Sequence, residues 1–477
     1  METIFEKSVK GRKGVFFEKV SGDIKLDEKY IRKLDLKLPE VSELDVIRHF
    51  INLSKLNFSV DGEFYPLGSC TMKYNPKINE KLSSLKEFAD LHPYLAFIDE
   101  SKVQGAFEVI YEISSLLCEI TGMEKITTQP YAGAHGELTG ILLTAAYHKA
   151  KGNNKKYIIV PDSAHGTNPA SAAMGGYSII SIPVDENGNM DINILKQKIN
   201  DEVAGIMMTV PSTLGLFETN IKEIIDIAHK YDAVMYYDGA NLNAILGKLR
   251  PGDIGFDIVH INLHKTFSTP HGGGGPGSGI VGVSKKLVDF LPVPLVEKEN
   301  GIYKLNYDIK NSIGCVSSFF GNFLVVLKAL IYILMLGKKG LIDVSEIAVL
   351  NANYLLSKLK DYYYVPYKRK CMHEFVVTAK NQLKNGVHAI DIAKYLIDNG
   401  VHPPTVYFPL VVEEAIMIEP TETESKQTLD EFTKIMINIA KLCEEDPEKI
   451  KNSPVKKVIS RPDETKAARE LKLKCDM

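Results

Sequence analysis

Apolar and polar positions follow two different periods along the middle of the chain. Short, nearly continuous apolar runs predict buried strands, and the stretches between them carry apolar residues at helical spacing. Buried strands that alternate with helices are typical of a mostly parallel sheet covered on both faces. The predicted strands are residues 157–161, 177–184, 205–210, 233–238, 257–262 and 279–283, and the helices between them are residues 192–198 and 221–231.

The pattern on either side of this region divides the chain further. Residues 1–95 are expected to form an N-terminal arm that wraps a larger body or a partner. Residues 96–325 are expected to form a large α/β domain, and residues 326–477 a smaller C-terminal α/β domain. Further helices are predicted over residues 42–53, 103–122, 133–148, 323–336, 345–359, 389–399 and 428–442, and further strands over 374–378 and 406–409.

Composition and charge exclude several broad classes of function. The chain has 477 residues, of which 45% are hydrophobic and 25% charged, as in an ordinary globular protein. A net charge of −3 offers no general basis for nucleic-acid binding. A transmembrane run and a signal-peptide pattern are both missing, so a cytoplasmic protein is expected. The six cysteines form no Cys-x-x-Cys pair, so neither a disulfide framework nor a zinc site is predicted.

Polar residues follow several of the predicted strands. The carboxyl ends of parallel strands meet at one edge of a sheet, where such folds bind their ligands. We therefore expect these polar residues to converge on one rim. They are residues 162–165, 211–213, 238–241 and 264–265.

A lysine and a carboxylate on this rim indicate one particular chemistry. Lys265 follows one predicted strand, and Asp238 ends the strand before it. Pyridoxal phosphate needs a lysine that holds its aldehyde as an imine and an acid that keeps its ring nitrogen protonated. His165 could lie flat on such a ring, and Ala240 is small enough to fit under the other face. The alternatives are a surface lysine, a helix N-cap for Asp238 and a turn residue for His165.

Three loops are candidates for binding. Small residues at Gly133 and Ala134 open a predicted helix, where backbone amides and the helix dipole favour a phosphate; a tight turn is the alternative. The glycine run 272–279 lacks the Gly-Lys-Ser/Thr of a Walker loop, so it is interpreted as a loop that allows close backbone approach, not as a nucleotide site. The turn-rich stretch 65–76 could carry binding groups or be a plain connector.

Seven stretches together resemble those of a known family. This is the P-protein of the glycine cleavage system, glycine dehydrogenase (decarboxylating), and more closely subunit 2 of its two-subunit form, which bears pyridoxal 5'-phosphate. The resemblance covers about residues 40–470. The stretches are 65–76 (YPLGSCTMKYNP), 129–137 (QPYAGAHGE), 164–172 (AHGTNPASA), 211–218 (PSTLGLFE), 237–241 (YDGAN), 262–267 (NLHKTF) and 271–277 (HGGGGPG).

The resemblance implies a fold and a set of site residues. The fold would be that of the aspartate-aminotransferase-like, fold type I enzymes: a large, mostly parallel sheet domain that carries the lysine, and a smaller C-terminal α/β domain. Lys265 matches the family's Schiff-base lysine, Asp238 the partner of the pyridine nitrogen, and His165 the ring-stacking histidine. The other implied cofactor-binding residues are Ala240, Gly133 and Ala134 of the phosphate site, and Thr213 and His264 near the phenolic oxygen and phosphate.

The resemblance also implies an activity and partners. The reaction would be decarboxylation of glycine, with transfer of the aminomethyl group to the lipoyl arm of H-protein. The chain is about half as long as a fused two-half enzyme. The implied assembly is therefore a heterotetramer with two copies of this chain and two copies of a homologous subunit 1. Two alternatives remain open: another fold-type-I amino-acid decarboxylase that acts without a lipoyl partner, and a non-catalytic assembly subunit, against which the presence of Lys265 argues.

Overall fold

The computed structural model of the chain describes residues 2–16, 18, 22, 25–34, 36–272 and 277–473. The chain divides into two compact units, Met1–Gly62 and Glu63–Met477. The domain boundaries expected after residues 95 and 325 stay predictions.

The first unit contains helix α1 (Glu43–Ser54). Ser42 caps this helix, because its hydroxyl oxygen accepts a hydrogen bond from the amide of Asp45 at 3.2 Å. Before the helix, the amide of Val9 donates to the carbonyl of Glu40 at 2.9 Å, which pairs two extended segments. The helix predicted over residues 42–53 is confirmed to within one residue.

A seven-stranded sheet forms the centre of the second unit. Its strands are β1 (Lys125–Thr127), β2 (Tyr157–Pro161), β3 (Ser178–Ile182), β4 (Val203–Thr209), β5 (Val234–Gly239), β6 (Ile258–Asn262) and β7 (Gly279–Val283). Their spatial order is β1-β7-β6-β5-β4-β2-β3; β2 to β6 are mutually parallel, and β7 runs antiparallel to both of its neighbours. All six strands predicted for this sheet are confirmed to within two residues. Strand β1 was not predicted, because three residues are too few to show a pattern.

Helices cover the sheet on both faces. Along β2, Ile159 belongs to a core with apolar residues of helices α5 (Gln104–Thr121) and α9 (Ile221–Lys230), whereas Ile158 and Val160 belong to a second core with residues of α6 (Gly133–Ala150). Because successive side chains of a strand point to opposite faces, burial on both faces explains the continuous apolar runs. In chain order the helices are α2 (Lys77–Ser83), α3 (Lys86–Ala89), α4 (Leu95–Ile98), α5 (Gln104–Thr121), α6 (Gly133–Ala150), α7 (Thr167–Met174), α8 (Ile192–Lys198), α9 (Ile221–Lys230), α10 (Pro251–Ile254) and α11 (Leu263–Thr266).

A smaller antiparallel sheet follows in the C-terminal part. Strands β8 (Leu295–Glu299) and β9 (Ile302–Asn306) first form a hairpin that was not predicted. The sheet itself has the order β10-β12-β11. Its strands are β10 (Phe375–Thr378), β11 (Thr405–Val406) and β12 (Ala415–Ile418), and the helices of this part are α12 (Phe323–Leu359), α13 (Ala389–Asp398), α14 (Lys426–Glu445), α15 (Pro447–Lys451) and α16 (Glu464–Arg469).

Two predictions in this part need correction. The strand predicted over residues 406–409 is wrong beyond Val406, because Tyr407 has a left-handed backbone with φ 58° that ends the strand. Helix α12 is interrupted at Gly337, where φ is 59° and ψ is −175°, so it is two helices. The first of these helices ends before Gly337, which confirms the helix predicted over residues 323–336. The second begins before residue 345, earlier than predicted.

No helix in the described part of the chain is both long and apolar enough to cross a membrane.

A buried ion pair ties the loop after residue 65 to the C-terminal part. The side chain of Lys73 is 0% exposed, and its Nζ lies 2.7 Å from Oε1 of Glu422. The same Nζ donates hydrogen bonds to Oδ1 of Asn243 at 3.0 Å and to the hydroxyl of Tyr332 at 3.2 Å. All three donor positions of this ammonium group are therefore used.

Replacing Lys73 with alanine is expected to lower the free energy of unfolding by about 3–5 kcal/mol, since it leaves the Glu422 carboxylate buried without its partner. Urea denaturation of both proteins measures this. Lys426→Ala is the matched control, because Lys426 pairs with Asp430 on an exposed helix face, where such a pair contributes about 0.3–0.5 kcal/mol. Equal shifts for the two variants would contradict the prediction.

Candidate active site

A cavity of about 230 Å³ lies where β4, β5 and β6 end. Most of the predicted rim lies here, although residues 162–164, 212 and 239 are not among the described lining residues. All eight residues implied as cofactor-binding line this cavity. They are Gly133, Ala134, His165, Thr213, Asp238, Ala240, His264 and Lys265. The remaining lining residues are Ser69, Glu137, Thr167, Thr209, Pro211, Asn241, Asn262, His373 and Glu374.

Lys265 lies in the short helix α11, directly after β6. Its Nζ donates a hydrogen bond to the carbonyl oxygen of Ser69 at 2.7 Å. The amine is thus held at the cavity wall by a residue of the loop 65–76, for which the sequence suggested only a general binding role. Lys265 is half-buried, which argues against an ordinary surface lysine.

Asp238 is the buried carboxylate of the cavity, with 2% of its surface exposed. It accepts hydrogen bonds from the side-chain amide of Asn168 at 3.0 Å and from the backbone amide of Ala240 at 3.1 Å. Burial alone would raise the pKa of Asp238, but nearby His260 and these hydrogen bonds hold it below its ordinary value. Asp238 belongs to β5, so it is an ionised strand residue and not a helix N-cap.

Glu137 is a second buried carboxyl group beside Asp238, and no role was predicted for it. It accepts hydrogen bonds from the hydroxyls of Thr167 at 2.7 Å and Ser171 at 3.1 Å. Burial, and then the charge of Asp238, raise the pKa of Glu137 to about 7. A glutamate on a buried helix face is the signal that could have drawn attention to it.

His165 and Thr213 lie on loops that follow β2 and β4. Nδ1 of His165 accepts a hydrogen bond from the amide of Thr167 at 3.3 Å, so the histidine is bonded to backbone as well as lining the cavity. Burial lowers the pKa of His165, which favours its neutral form. The hydroxyl of Thr213 donates to the carbonyl of Ser163 at 2.6 Å.

The first turn of α6 faces the cavity with Gly133 and Ala134. A Cβ atom at Gly133 would lie 2.7 Å from Nδ2 of Asn262, so a larger residue there would force the Asn262 side chain to move. Within the described residues, Oδ1 of Asn262 has no hydrogen-bond partner. The first amides of this 18-residue helix have no partner within the helix and could bind an anion.

His264 is held in one orientation by the end of the glycine run 272–279. Its Nδ1 accepts a hydrogen bond from the amide of Ser278 at 3.2 Å, which leaves the proton of the neutral ring on Nε2. Burial, with nearby His271 and Lys265, lowers the pKa of His264 to about 3. A Cβ atom at Gly277 would lie 2.9 Å from Nδ1 of His264, so close backbone approach is confirmed there. Residues 273–276 of the run lie outside the described residues.

The smaller sheet also contributes to the cavity wall. His373 and Glu374 immediately precede β10, and both are buried. Neither was predicted as a site residue, because a charged pair before a short strand is also an ordinary surface pattern.

The fold defines the class of protein. Glycine decarboxylase (P-protein) of the glycine cleavage system, solved in inhibitor-bound form, has a similar structure, with a TM-score of 0.71 and 20% identity over 86% of this chain and 92% of that one. An apo cysteine desulfurase from Thermococcus onnurineus NA1 is similar at a TM-score of 0.61 and 16% identity, over 80% of this chain and 95% of that one. The chain therefore has the fold type I, aspartate-aminotransferase-like architecture that was predicted.

Sequence comparison narrows this class to one family. Residues 16–306 match the glycine cleavage system P-protein family, and residues 344–460 match the glycine dehydrogenase C-terminal domain. A probable glycine dehydrogenase (decarboxylating) subunit 2 from Caldanaerobacter subterraneus subsp. tengcongensis is 56% identical over 472 residues, which is 98% of this chain and 97% of that protein. Its counterpart from Treponema denticola is 56% identical over 471 residues, again 98% of this chain and 97% of that protein. The chain belongs to the glycine dehydrogenase (decarboxylating) subunit 2 family of P-proteins, which confirms the resemblance.

Proposed function

We propose that this chain binds pyridoxal 5'-phosphate, decarboxylates glycine and passes the aminomethyl group to the lipoyl arm of H-protein. The observation that carries the proposal is the meeting of a lysine amine, an ionised buried carboxylate and a helix N-terminus in one cavity. Membership of the family supports glycine as the substrate.

The three groups suit the three polar parts of the cofactor. The amides of Gly133 and Ala134 would bind the phosphate, since the start of α6 attracts an anion. The Asp238 carboxylate would accept a hydrogen bond from the protonated ring nitrogen and keep it charged, and the amine of Lys265 would hold the aldehyde carbon. The glycine at position 133, which no larger residue could replace without meeting Asn262, supports the fit.

The remaining cavity residues would orient the ring. His165, neutral because burial lowers its pKa, would stack on one face, and Ala240 would lie under the other. The Nε2–H of His264 is free to donate to the phosphate or the phenolic oxygen, because Nδ1 already accepts from Ser278. Thr213 would lie near the phenolic oxygen.

The charges of the cavity suit loss of a carboxylate. When bound, pyridoxal phosphate supplies a conjugated ring that accepts the electron pair left by the departing carbon dioxide. Asp238 would keep the positive charge on the ring nitrogen that this chemistry needs. No arginine is found among the described lining residues, and their one lysine is Lys265. A strong cation on the glycine carboxylate would stabilise the ground state, so its absence from this lining favours decarboxylation.

The partners are part of the same proposal. The relatives carry the name subunit 2, which supports a homologous subunit 1. We propose a heterotetramer with two copies of each subunit, and lipoylated H-protein as the acceptor of the aminomethyl group. The cytoplasmic location stays a prediction.

Exchange of labelled bicarbonate into the carboxyl group of glycine tests substrate, reaction and partners together. The expected result is exchange that needs this chain, subunit 1 and lipoylated H-protein. Release of methylamine from glycine without H-protein would favour a decarboxylase that acts alone. Failure of the assembled protein to show the visible absorption of lysine-bound cofactor would favour a non-catalytic assembly subunit.

Replacing Gly133 with alanine is expected to weaken pyridoxal phosphate binding about tenfold or more, since overpacking of this kind costs about 1–3 kcal/mol. The added Cβ would meet Asn262 and displace the first turn of α6. Cofactor titration followed by absorbance measures the affinity. Gly105→Ala is the matched control, because Gly105 also lies in the first turn of a helix but faces open space. Unchanged affinity in Gly133→Ala would contradict the phosphate site.

A further inference from the structure

The loop that holds Lys265 has an unusual backbone. Ser69, whose carbonyl accepts the hydrogen bond from Lys265, has φ 61°, and Thr71 has φ 50°. Residues with side chains rarely adopt positive φ, and β-branched threonine does so least readily. Such a conformation persists only where the surroundings hold it.

Two buried carboxyl groups of the C-terminal part hold this loop. Oε2 of Glu374 accepts a hydrogen bond from the amide of Ser69 at 2.7 Å. Oε2 of Glu419 accepts from the amide of Thr71 at 3.0 Å, and its Oε1 accepts from the Thr71 hydroxyl at 2.7 Å. Glu374 precedes β10 and Glu419 follows β12, and these strands pair antiparallel, so the two carboxyl groups lie side by side.

The two carboxyl groups differ in their hydrogen bonds. Glu419 also accepts from the side-chain amide of Asn241 at 3.0 Å, so three donors point at it, as suits an ionised carboxylate. Oε1 of Glu374 lies 3.8 Å from Nε2 of His373, beyond hydrogen-bond distance. Burial lowers the pKa of His373, so this ring offers Glu374 no compensating charge.

Two ionised carboxylates could not coexist here without a large energetic cost. One ligand atom from each of His373, Glu374 and Glu419 lies within 4.8 Å of the others, and all three residues are buried. Burial, and then the charge of Glu419, raise the pKa of Glu374 well above its ordinary value. Burial and Glu419 outweigh the hydrogen bonds from the amide and side chain of Ser69 and the charge of Lys265, which lower the pKa of Glu374. With three donors on Glu419, Glu374 is therefore the member of the pair that holds the proton.

We propose that Glu374 is a neutral carboxylic acid that positions Lys265 through the backbone of Ser69. Its oxygen fixes the Ser69 amide, and the Ser69 carbonyl in turn holds the lysine amine. Ionised Glu419 fixes Thr71 and so keeps the loop in its left-handed conformation. The inference extends the proposed function and rests on it for the catalytic role of Lys265. The smaller sheet, and not strand β6 that precedes the lysine, then sets where the amine lies in the absence of cofactor.

The test compares Glu374→Gln with Glu374→Ala in the cofactor-free full chain. Glutamine has the shape and neutrality of the protonated acid, and its carbonyl oxygen can still accept from the Ser69 amide, whereas alanine cannot. The probe is trinitrobenzenesulfonate at one fixed pH, with the labelling rate of Lys265 followed by mass spectrometry. Glu218→Gln is the matched control, because Glu218 is also buried and also accepts hydrogen bonds from the backbone, in its case from the amides of Met190 and Asn220.

The expected result is a wild-type labelling rate for Glu374→Gln and for the control, and a rate about fivefold higher for Glu374→Ala, the factor expected for one lost hydrogen bond. Glutamine behaving like alanine would show that a negative charge is needed and would overturn the proposal. So would alanine labelling at the wild-type rate. If Glu374→Ala does not fold, Glu374→Asp, which withdraws the carboxyl group by one methylene, takes its place with the same expectation.

Elemental analysis of the purified protein adds an independent check. A stoichiometric divalent metal, lost in Glu374→Gln, would mean that a cation and not a proton balances the carboxyl pair, which would overturn the proposal. The labelling needs neither glycine nor cofactor, so its outcome is separate from that of the exchange assay. Failure of exchange in the assembled wild-type protein would refute the proposed function while leaving the labelling result readable.

Discussion

Replacing Lys265 with alanine is expected to reduce glycine–bicarbonate exchange by at least about 10³-fold, as removal of a covalent catalytic group does in other enzymes. No other lysine lines the cavity among the described residues, so no neighbouring amine can take its place. The visible absorption of lysine-bound cofactor should disappear at the same time. These two losses follow from one missing amine, and the exchange assay and an absorption spectrum measure them separately.

The fold should survive this substitution. Nζ of Lys265 makes one hydrogen bond, to the Ser69 carbonyl, so the free energy of unfolding should change by only about 0.5–1.5 kcal/mol. Lys196→Ala is the control, because Lys196 is half exposed and pairs with Glu223 on the surface. Exchange that persists in Lys265→Ala, with the control unchanged, would refute the role of this lysine.

Replacing Asp238 with asparagine should lower exchange about 10²–10³-fold, the range seen when one preorganised electrostatic group is removed. The carboxylate is ionised and buried in the proposed cavity, so its loss would leave the cofactor ring nitrogen without its negative partner. The side-chain amide of asparagine would also face the Asn168 and Ala240 donors. Leaving one of them unpaired costs about 1–3 kcal/mol of stability.

Stability and catalysis must therefore be separated for this variant. Asp257→Asn serves as the control, because Asp257 is a buried carboxylate at the opposite end of the same sheet, where it accepts from the amide of Met235 at 2.8 Å and pairs with Lys286 at 2.8 Å. Both variants should lose stability in urea, but only Asp238→Asn should lose exchange per folded molecule. Equal loss of exchange in the two would assign the effect to folding and not to the ring nitrogen.

The strands of the large sheet could be predicted because helices bury them on both faces. Strands β2 and β7 agree with their predicted ranges at both ends, since burial on both faces leaves a continuous apolar run between polar neighbours. The convergence of the strand ends followed from parallel topology alone. Strand β1 is not predicted, because three residues are too few to show a periodic pattern. Strand β11 ends earlier than predicted, because the sequence pattern does not reveal the left-handed backbone of Tyr407 that ends it.

Some residues of the candidate site could also be predicted from the sequence, and others could not. Lys265 follows one apolar strand and Asp238 lies near the end of another, so their positions could be predicted from the local sequence. The resemblance to P-proteins supplied their roles. The roles of Glu137 and Glu374 could not be predicted from the sequence, because their protonation depends on carboxyl groups that are neighbours only in the folded chain.

Local periodicity and strand direction are enough to predict the order and type of the main elements and which side chains lie at the ends of the parallel strands, and the seven matching stretches are enough to predict the family. The contact between Ser69 and Glu374, 305 residues further along the chain, depends on tertiary packing. The same packing decided that Glu374 holds a proton while Asp238 is ionised. The physical reason is that the charge of a buried carboxyl group depends on the donors and charges around it, and long-range packing chooses these.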